Sequence, residues 1–367
     1  MTDTLPEAIE PYPDISSKAY EHPADRAATA ALKSVPMLDT VVRKLVEFSY
    51  ERALRQMYLG NSVKASERQL SQLYTSYRGV HYILDMPEDY DLYVTSALYW
   101  NAVTIGSSKP MIIMGSNLLE QLGPGEQRVI IAHELGHILS DHVLYITALN
   151  ILLSATYTLP LLGLPVRAVR AVLLEWRRAA ELSCDRAAVL AVRDPRIVCR
   201  TLMVVAGGLP ADQLDLDAFM AQAMEYENWE DSHDRVRRFF NEINATHSYS
   251  VRLVSEIMRW VQSGEYDRII RGEYRKRSDP VNPRNEASDA MEYYAERFRA
   301  LFRELGENVT NLGSQVGDVS QQLADWLRKR GGPGTGSGGP GSGGSGGPGG
   351  PGGPGGSGGS GNGEDDE

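Results

Sequence analysis

The sequence has little cysteine: Cys184 and Cys199 are its only two thiols among 367 residues. So few thiols exclude the disulfide framework that stabilises small secreted domains. Both cysteines lie in segments with helical periodicity, so we expect buried, reduced thiols rather than a bridge. The N-terminus is acidic and proline-rich and lacks the basic and apolar parts of a signal peptide, which predicts a cytoplasmic protein.

Basic residues are also in the minority. The sequence has 37 Lys and Arg against 48 Asp and Glu, which gives a formal net charge of −11. A chain this acidic lacks the basic surface with which proteins neutralise phosphates. We therefore expect no nucleic-acid partner.

Residues 331–367 contain no large apolar side chain and consist of Gly, Pro, Ser, Thr, Asn, Asp and Glu. Such a segment cannot contribute to a core, so its composition predicts a disordered linker with an acidic tip. All aromatic and aliphatic residues lie in 1–330, a length that allows one large domain or two moderate ones.

Periodicity divides the remaining chain. Residues 1–24 are predicted as an extended arm, and 25–275 as one folded domain whose part 25–78 is helical. Strand character runs from 81 to 114 and helical character from 117 to 272. Helix breaks are expected at 123–125, 160–165, 194–195 and 207–210. The pattern predicts an α+β fold that is mostly helical and has a small sheet.

Residues 276–330 form a separate segment with a heptad pattern. Eight apolar residues between Phe302 and Trp326 alternate spacings of three and four, as in a coiled-coil seam. Three interpretations remain open. The segment could be an amphipathic helix on its own domain, a coiled coil through which a homo-oligomer forms, or a helix that binds a membrane surface or another protein.

The most informative residues form an H-E-x-x-H motif, His133-Glu134-Leu135-Gly136-His137. In a helix, two residues four apart lie on one face, so both imidazoles can reach one zinc ion. Glu134 is placed beside them as a general base toward an attacking water. The alternative is a pair of surface histidines on a helix.

A catalytic zinc needs a third protein ligand. His142 lies five residues after His137, and we expect it to point away from the metal as a solvated or capping residue. Glu181 is the better candidate, because Glu181 and Asp185 share one helix face. Glu181 can ligate the metal while Asp185 accepts a hydrogen bond from a ligand histidine. The alternative is a solvated acidic face.

HELGH followed by ELSCDRAA resembles the zinc metallopeptidase family of HtpX and the type 1 CAAX prenyl proteases, especially its actinobacterial-style members. The resemblance covers about residues 16–275 and is most specific at these two motifs. It implies a zincin-like fold with one zinc ion per chain, held by His133, His137 and Glu181. Glu134 would then be the general base in hydrolysis of peptide bonds in protein or peptide substrates.

The resemblance extends to the strand region. Asn101 and Ala102, ahead of the apolar run PMIIM, resemble the edge strand on which these enzymes hold the substrate backbone. An extended substrate would then add a strand beside residues 101–105.

A third motif matches less closely. The segment from His247 to Arg252 resembles the family pattern H-P-x-x-x-x-R, but Ser248 replaces the proline and the arginine comes one residue early. The resemblance implies that His247 stabilises the oxyanion and that Arg252 supports the site. Because of the shift, Tyr249 is a rival donor.

Residues 143–166 carry no charge over 24 positions, a length that could span a membrane. A single span there is excluded, since His137 and Glu181 must reach the same ion from one side of any membrane. We expect a buried helical hairpin or a substrate lid. The alternative is shallow insertion into a bilayer face, which would make the protein membrane-associated.

Two functions compete on this sequence. The first is an active zinc endopeptidase, and the second is a non-catalytic, metal-stabilised module that acts in assembly through the heptad segment and the tail. The presence of Glu134 favours the first, because a structural zinc needs no general base.

Overall fold

The computed structural model describes residues 9–34, 42–43, 46, 50–96, 102–158, 164–228 and 249–280. Five predictions lie wholly or mostly outside these residues: the heptad segment 302–326, the tail 331–367, the helix break at 160–165, Asn101 and His247.

The described chain is an α+β fold in which helices surround one small sheet, so the predicted fold class is confirmed. The strands are β1 (Val63–Lys64), β2 (Asp91–Thr95), β3 (Ala102–Ile105) and β4 (Met111–Gly115). The first helices are α1 (Pro23–Ser34), α2 (Tyr50–Asn61), α3 (Ser71–Ile83), α4 (Ser116–Gln121) and α5 (Pro124–Leu139). They are followed by α6 (Val143–Thr158), α7 (Leu164–Val192), α8 (Pro195–Gly207), α9 (Leu216–Asn228), α10 (Ser250–Gln262) and α11 (Glu265–Ile270).

The sheet has the strand order β1-β2-β4-β3, and only β2 and β4 run parallel. Strand β4 is buried along its whole length, as expected for a continuous apolar run. Alternate side chains enter two apolar clusters, with Ile112 and Met114 in one and Met111 and Ile113 in the other. The sheet therefore lies between two halves of the core.

Strand character was expected from residue 81, and this boundary is wrong. His81 to Ile83 form the last turn of α3. Leu73, Tyr77 and Val80 are buried on one face of that helix together with Ile83. This helical spacing over more than three turns outweighs the local strand propensity of a short apolar run.

The predicted helix breaks at 123–125, 194–195 and 207–210 are confirmed. Pro195 stands in the first turn of α8, where its missing N–H costs nothing, and the Asp194 carboxylate accepts two backbone N–H groups there. A further break, between α5 and α6, was not predicted from the sequence. Asp141 adopts a left-handed φ of 59° at that corner.

The segment after this break is embedded in the protein as far as its side chains are described. Residues 143–149, 151 and 152 are buried, Asn150 is half-buried, and α6 contacts α7 and β3. Among the described residues, no single helix is long and apolar enough to cross a membrane; Pro124–Leu139 and Val143–Leu153 satisfy such a test only together, at an angle of 104°.

The described part of the N-terminal arm contacts the domain closely. The Tyr12 hydroxyl donates to the Leu190 carbonyl at 3.1 Å, and Ile15 forms a bridge with Lys276. Helix α1 follows at once and buries Ala24 and Ala28 in the same core cluster as α6 and α7. The arm and α1 are thus joined to the helices that follow the sheet.

Helices α5 and α7 lie very close to each other at Gly136. A Cβ atom at this position would lie 3.0 Å from the Ala187 Cβ and 3.3 Å from the Cys184 Cα. Both of these atoms are fixed to the α7 backbone, so they cannot move aside as the end of a flexible side chain could. The glycine of the H-E-x-x-H motif therefore sets the distance between the two helices.

We predict that Gly136→Val will separate α5 from α7 and destabilise the fold by about 1–3 kcal/mol, a usual cost of overpacking. Gly79→Val is the matched control, because Gly79 is also inside a helix but has open space around its Cβ direction. Thermal unfolding of both variants checks the prediction. Equal melting temperatures would contradict it.

Candidate metal centre

The close contact of α5 and α7 brings the two predicted motifs together. His133 Nε2 lies 3.3 Å from Glu181 Oε2, and His137 Nε2 lies 3.7 Å from Glu181 Oε1. The two imidazole rings are 4.9 Å apart between centroids. Two ring nitrogens from α5 thus face both oxygens of one carboxylate from α7, as the spacing of the motifs predicts.

This arrangement fits a divalent metal ion. Two imidazole nitrogens and one carboxylate are a ligand set that Zn²⁺ takes in catalytic sites. Burial, reinforced by the neighbouring His133, lowers the pKa of His137 well below its usual range, which leaves a neutral ring as ligation requires. Burial acts in the same direction on His133, but its hydrogen bonds to Asp185 and Glu181 raise its pKa well above the usual range. A bound cation would take the place of that proton.

Asp185 occupies its predicted position behind His133. Its Oδ1 lies 2.8 Å from His133 Nδ1, on the ring nitrogen that does not face Glu181. A carboxylate at this place fixes the orientation and the tautomer of a ligand histidine.

Glu134 is buried against the sheet. The Thr104 hydroxyl of β3 donates a 2.7 Å hydrogen bond to Glu134 Oε2. Burial raises the pKa of the Glu134 carboxyl, although His133 and Thr104 both act to lower it. Sequence reasoning missed Thr104. The hydroxyl that interrupts the apolar run of β3 is the feature that could have indicated it.

Arg177 is a second residue that the motifs did not indicate. Its side chain is buried, and its Nε donates a 3.0 Å hydrogen bond to Glu181 Oε1. A buried carboxylate is costly unless it is paired, and Arg177 supplies this pairing from one turn earlier on the same helix. The four-residue spacing of Arg177 and Glu181 could have suggested the contact.

A second ligand set shares the two histidines. His133, His137 and Cys184 present potential ligand atoms within 4.8 Å of one another. Cys184 Sγ, however, lies 3.1 Å from His137 Nδ1, whereas the Nε2 atoms of both histidines face Glu181. Burial also raises the pKa of the Cys184 thiol well above its usual range, which disfavours the thiolate that binds metal. The Glu181 set therefore fits better.

The expectation that His142 is a solvated or capping residue is wrong, although it lies at the ring nitrogen of His137 that does not face Glu181. Its side chain is 1% exposed, and its Nδ1 lies 3.2 Å from His137 Nδ1. The turn at Asp141 causes this, since it directs the backbone N–H of His142 back to the His137 carbonyl at 2.9 Å. The prediction assumed a continuous helix, in which residues five apart point in different directions.

The structure describes three of the remaining predicted site residues. Ala102 begins β3 and pairs with Met114 of β4. Tyr249 precedes the first turn of α10, is 36% exposed and contacts the ring of Tyr226 edge-on. Arg252 lies in that first turn. The roles assigned to these residues remain predictions.

Cys184 and Cys199 are free and buried, as the sequence predicted. Burial raises the pKa of Cys199 to about 12, so this thiol stays protonated at neutral pH.

Comparison with known proteins agrees with this geometry. Residues 83–261, which contain both metal-site motifs, match Peptidase family M48. Over 271 residues the chain is 36% identical to the plastoglobule-localized metallopeptidase 48, chloroplastic, of Arabidopsis thaliana; the match covers 72% of this chain and 78% of that protein. No solved structure matches. The similarity over most of both chains confirms the expected relationship: the chain belongs to peptidase family M48, a family of metallopeptidases.

Proposed function

We propose that this metallopeptidase is a zinc-dependent endopeptidase that hydrolyses internal peptide bonds of protein substrates. Family membership supports a peptidase, and the zinc ion and the endopeptidase specificity are what we add. The observation that carries the proposal is the position of His133 and His137 Nε2 against Glu181, beside a buried Glu134.

Zn²⁺ held by His133, His137 and Glu181 would supply a Lewis acid for the substrate carbonyl and would lower the pKa of the attacking water. The chain itself supplies the proton acceptor. Thr104 holds Glu134 Oε2, so we assign the proton taken from the water to Oε1. A raised pKa suits this role, because a general base works best when its pKa approaches the working pH. The same carboxyl then passes the proton to the leaving nitrogen.

Strand β3 is the natural position for the substrate backbone. It is the last strand on its side of the described sheet, and Thr104 joins it directly to Glu134. An extended peptide that pairs with β3 would bring its carbonyl groups close to the general base, Glu134. This supports the assignment of Asn101 and Ala102 to substrate binding.

The oxyanion needs a donor that the metal ligands do not provide. We assign this role to His247, with Tyr249 as the rival donor and Arg252 as a supporting charge. The assignment rests on the match of the segment to the family motif and on the position of Tyr249 at the start of α10.

The alternative function is a metal-stabilised assembly module without catalysis. The Thr104–Glu134 bond favours the enzyme, because it fixes a carboxylate that is not part of the predicted ligand set. Membrane contact through residues 143–166 and self-association through 302–326 remain proposals about how such an enzyme meets its partners.

We predict that Glu134→Gln will keep the bound zinc and lower hydrolysis about 100- to 10,000-fold, the usual contribution of a general base. The amide keeps a hydrogen-bond acceptor for Thr104 but cannot take a proton at neutral pH. Metal analysis and digestion of a peptide library measure both quantities, and the exposed Glu120→Gln is the control. Residual activity above about 1% of wild type would contradict the role of Glu134.

We predict that Thr104→Val will lower hydrolysis about 10- to 100-fold without loss of zinc. Valine keeps the shape of the side chain but removes a hydrogen bond to a carboxylate, which is worth about 1.5–3 kcal/mol. Thr201→Val is the matched control, since Thr201 is equally buried and donates only to the Ile197 carbonyl. A similar loss of activity in both variants would show that Thr104 has no specific effect on Glu134.

We predict that Glu181→Ala will strongly reduce zinc content and that Cys184→Ala will leave it unchanged. The two variants separate the ligand sets, because each removes the third donor of one set only. Zinc content by mass spectrometry after dialysis is the measurement. The reverse pattern, with zinc lost only from Cys184→Ala, would assign the metal to the thiol.

A further inference from the structure

A row of two polar side chains, His142 and Asp25, lies behind His137 on the side away from Glu181. The His137 ring presents Nε2 to Glu181 and Nδ1 to His142 Nδ1, at 3.2 Å. His142 in turn presents its Nε2 to Asp25 Oδ2 at 3.1 Å, a close polar contact in which the N–H does not point straight at the oxygen. His142 is 1% exposed and Asp25 is 0% exposed, so this row is shielded from bulk solvent.

Asp25 is held as a carboxylate by two further side chains. Its Oδ2 accepts from the Ser183 hydroxyl of α7 at 2.5 Å, and its Oδ1 accepts from Thr29 at 3.1 Å. Burial alone would favour the neutral acid, but His142 and the two hydroxyl donors lower the pKa of Asp25. A buried charge with this many donors has a fixed position and orientation.

The ring of His142 is also fixed by packing. Trp176 contacts it edge-on with 5.5 Å between ring centroids, and the indole N–H donates to Thr29 at 2.8 Å. The same threonine hydroxyl donates to Asp25. Trp176, Thr29 and Asp25 thus form one connected support around His142.

One proton arrangement fits the short contact between His137 and His142 when His137 binds a metal through Nε2. His137 then carries its proton on Nδ1 and donates it to His142 Nδ1, the nearest nitrogen. His142 must therefore carry its own proton on Nε2, toward the Asp25 carboxylate. Cys184 Sγ, at 3.1 Å, is the other acceptor in reach of His137 Nδ1, but sulfur is a weak one.

The two ligand histidines are thus supported in parallel ways. Asp185 of α7 acts directly on His133, whereas Asp25 of α1 is placed to act on His137 through a second imidazole. Asp25 lies outside residues 83–261, the part of the chain that matches the peptidase family. Helix α1 would therefore complete the environment of a metal ligand that belongs to the peptidase domain.

We propose that Asp25 and His142 are positioning residues that set the tautomer and orientation of His137 and thereby increase the metal affinity of the site. The proposal rests on the proposed function in one respect, the binding of metal at His137 Nε2. Removal of an outer hydrogen-bond partner of a ligand histidine commonly lowers metal affinity about 10- to 100-fold. We expect a loss of this size for each residue.

The test uses the full chain and the variants Asp25→Asn and His142→Phe, alone and combined. Zinc affinity is measured by competition with a chromophoric chelator, and the visible absorption of the Co²⁺-loaded proteins reports the ligand geometry. Glu21→Gln is the control, because it also removes a buried acid close to Asp25 in sequence. Glu21 pairs with Lys18 and Arg26. Thermal unfolding of the metal-free proteins shows whether each variant folds.

We expect zinc affinity to fall about 10- to 100-fold in each single variant. The double variant should fall no further, because the two residues act in series. The cobalt spectrum should shift in all three, while Glu21→Gln keeps wild-type affinity and spectrum. If Asp25→Asn does not fold, His142→Phe alone decides, by affinity and spectrum.

Unchanged zinc affinity and an unchanged cobalt spectrum in folded His142→Phe would overturn the proposal. Additive losses in the double variant would also overturn it, since they would mean that Asp25 does not act through His142. A wild-type chain that binds no zinc would overturn the proposed function itself, so the two failures are distinguishable.

Discussion

The metal centre depends on the close packing of α5 against α7. Gly136 allows the two helix backbones to lie so close that a Cβ atom at this position would be only 3.0 Å from the Ala187 Cβ. Only at this separation do side chains from both helices meet, with the nitrogens of His133 and His137 within 3.3–3.7 Å of Glu181. Each helix supplies its residues by local spacing alone, but their meeting is a product of tertiary packing.

The site concentrates charge in a largely buried place, and each charge is met by a specific partner. Arg177 pairs with Glu181, Asp185 with His133, and Asp25 with His142. Breaking such a pair would leave an uncompensated buried charge, which costs about 3–5 kcal/mol. The ion pairs therefore restrict the site to one arrangement of side chains, and this order is what a ligand set for a metal requires.

What could be predicted from the sequence was local. The four-residue spacings within H-E-x-x-H and between Glu181 and Asp185 follow from helix geometry, and both lie on helices as expected. Thr104 and Asp25 could not be found in this way, because their contacts join residues 30 or more positions apart. His142 was misplaced because one left-handed residue, Asp141, follows the end of the helix and turns the chain by 104°. The strand expected from residue 81 failed because a helical stripe of buried side chains continues through Ile83.

These long-range contacts join two kinds of residue at the site, the predicted metal-site residues and the residues that hold them in position. Helices α5 and α7 supply the groups that would touch a metal, whereas β3 and α1 supply the groups that hold them, Thr104 behind Glu134 and Asp25 behind His142. A metal bound only by the folded chain stabilises that fold in proportion to its affinity, and the stabilisation extends to every element that fixes a ligand. The folding of α1 and the loading of metal are then thermodynamically linked, although α1 supplies none of the predicted ligands. Linkage of this kind works in both directions: whatever displaces α1 weakens the metal site, and the bound metal holds α1 in place.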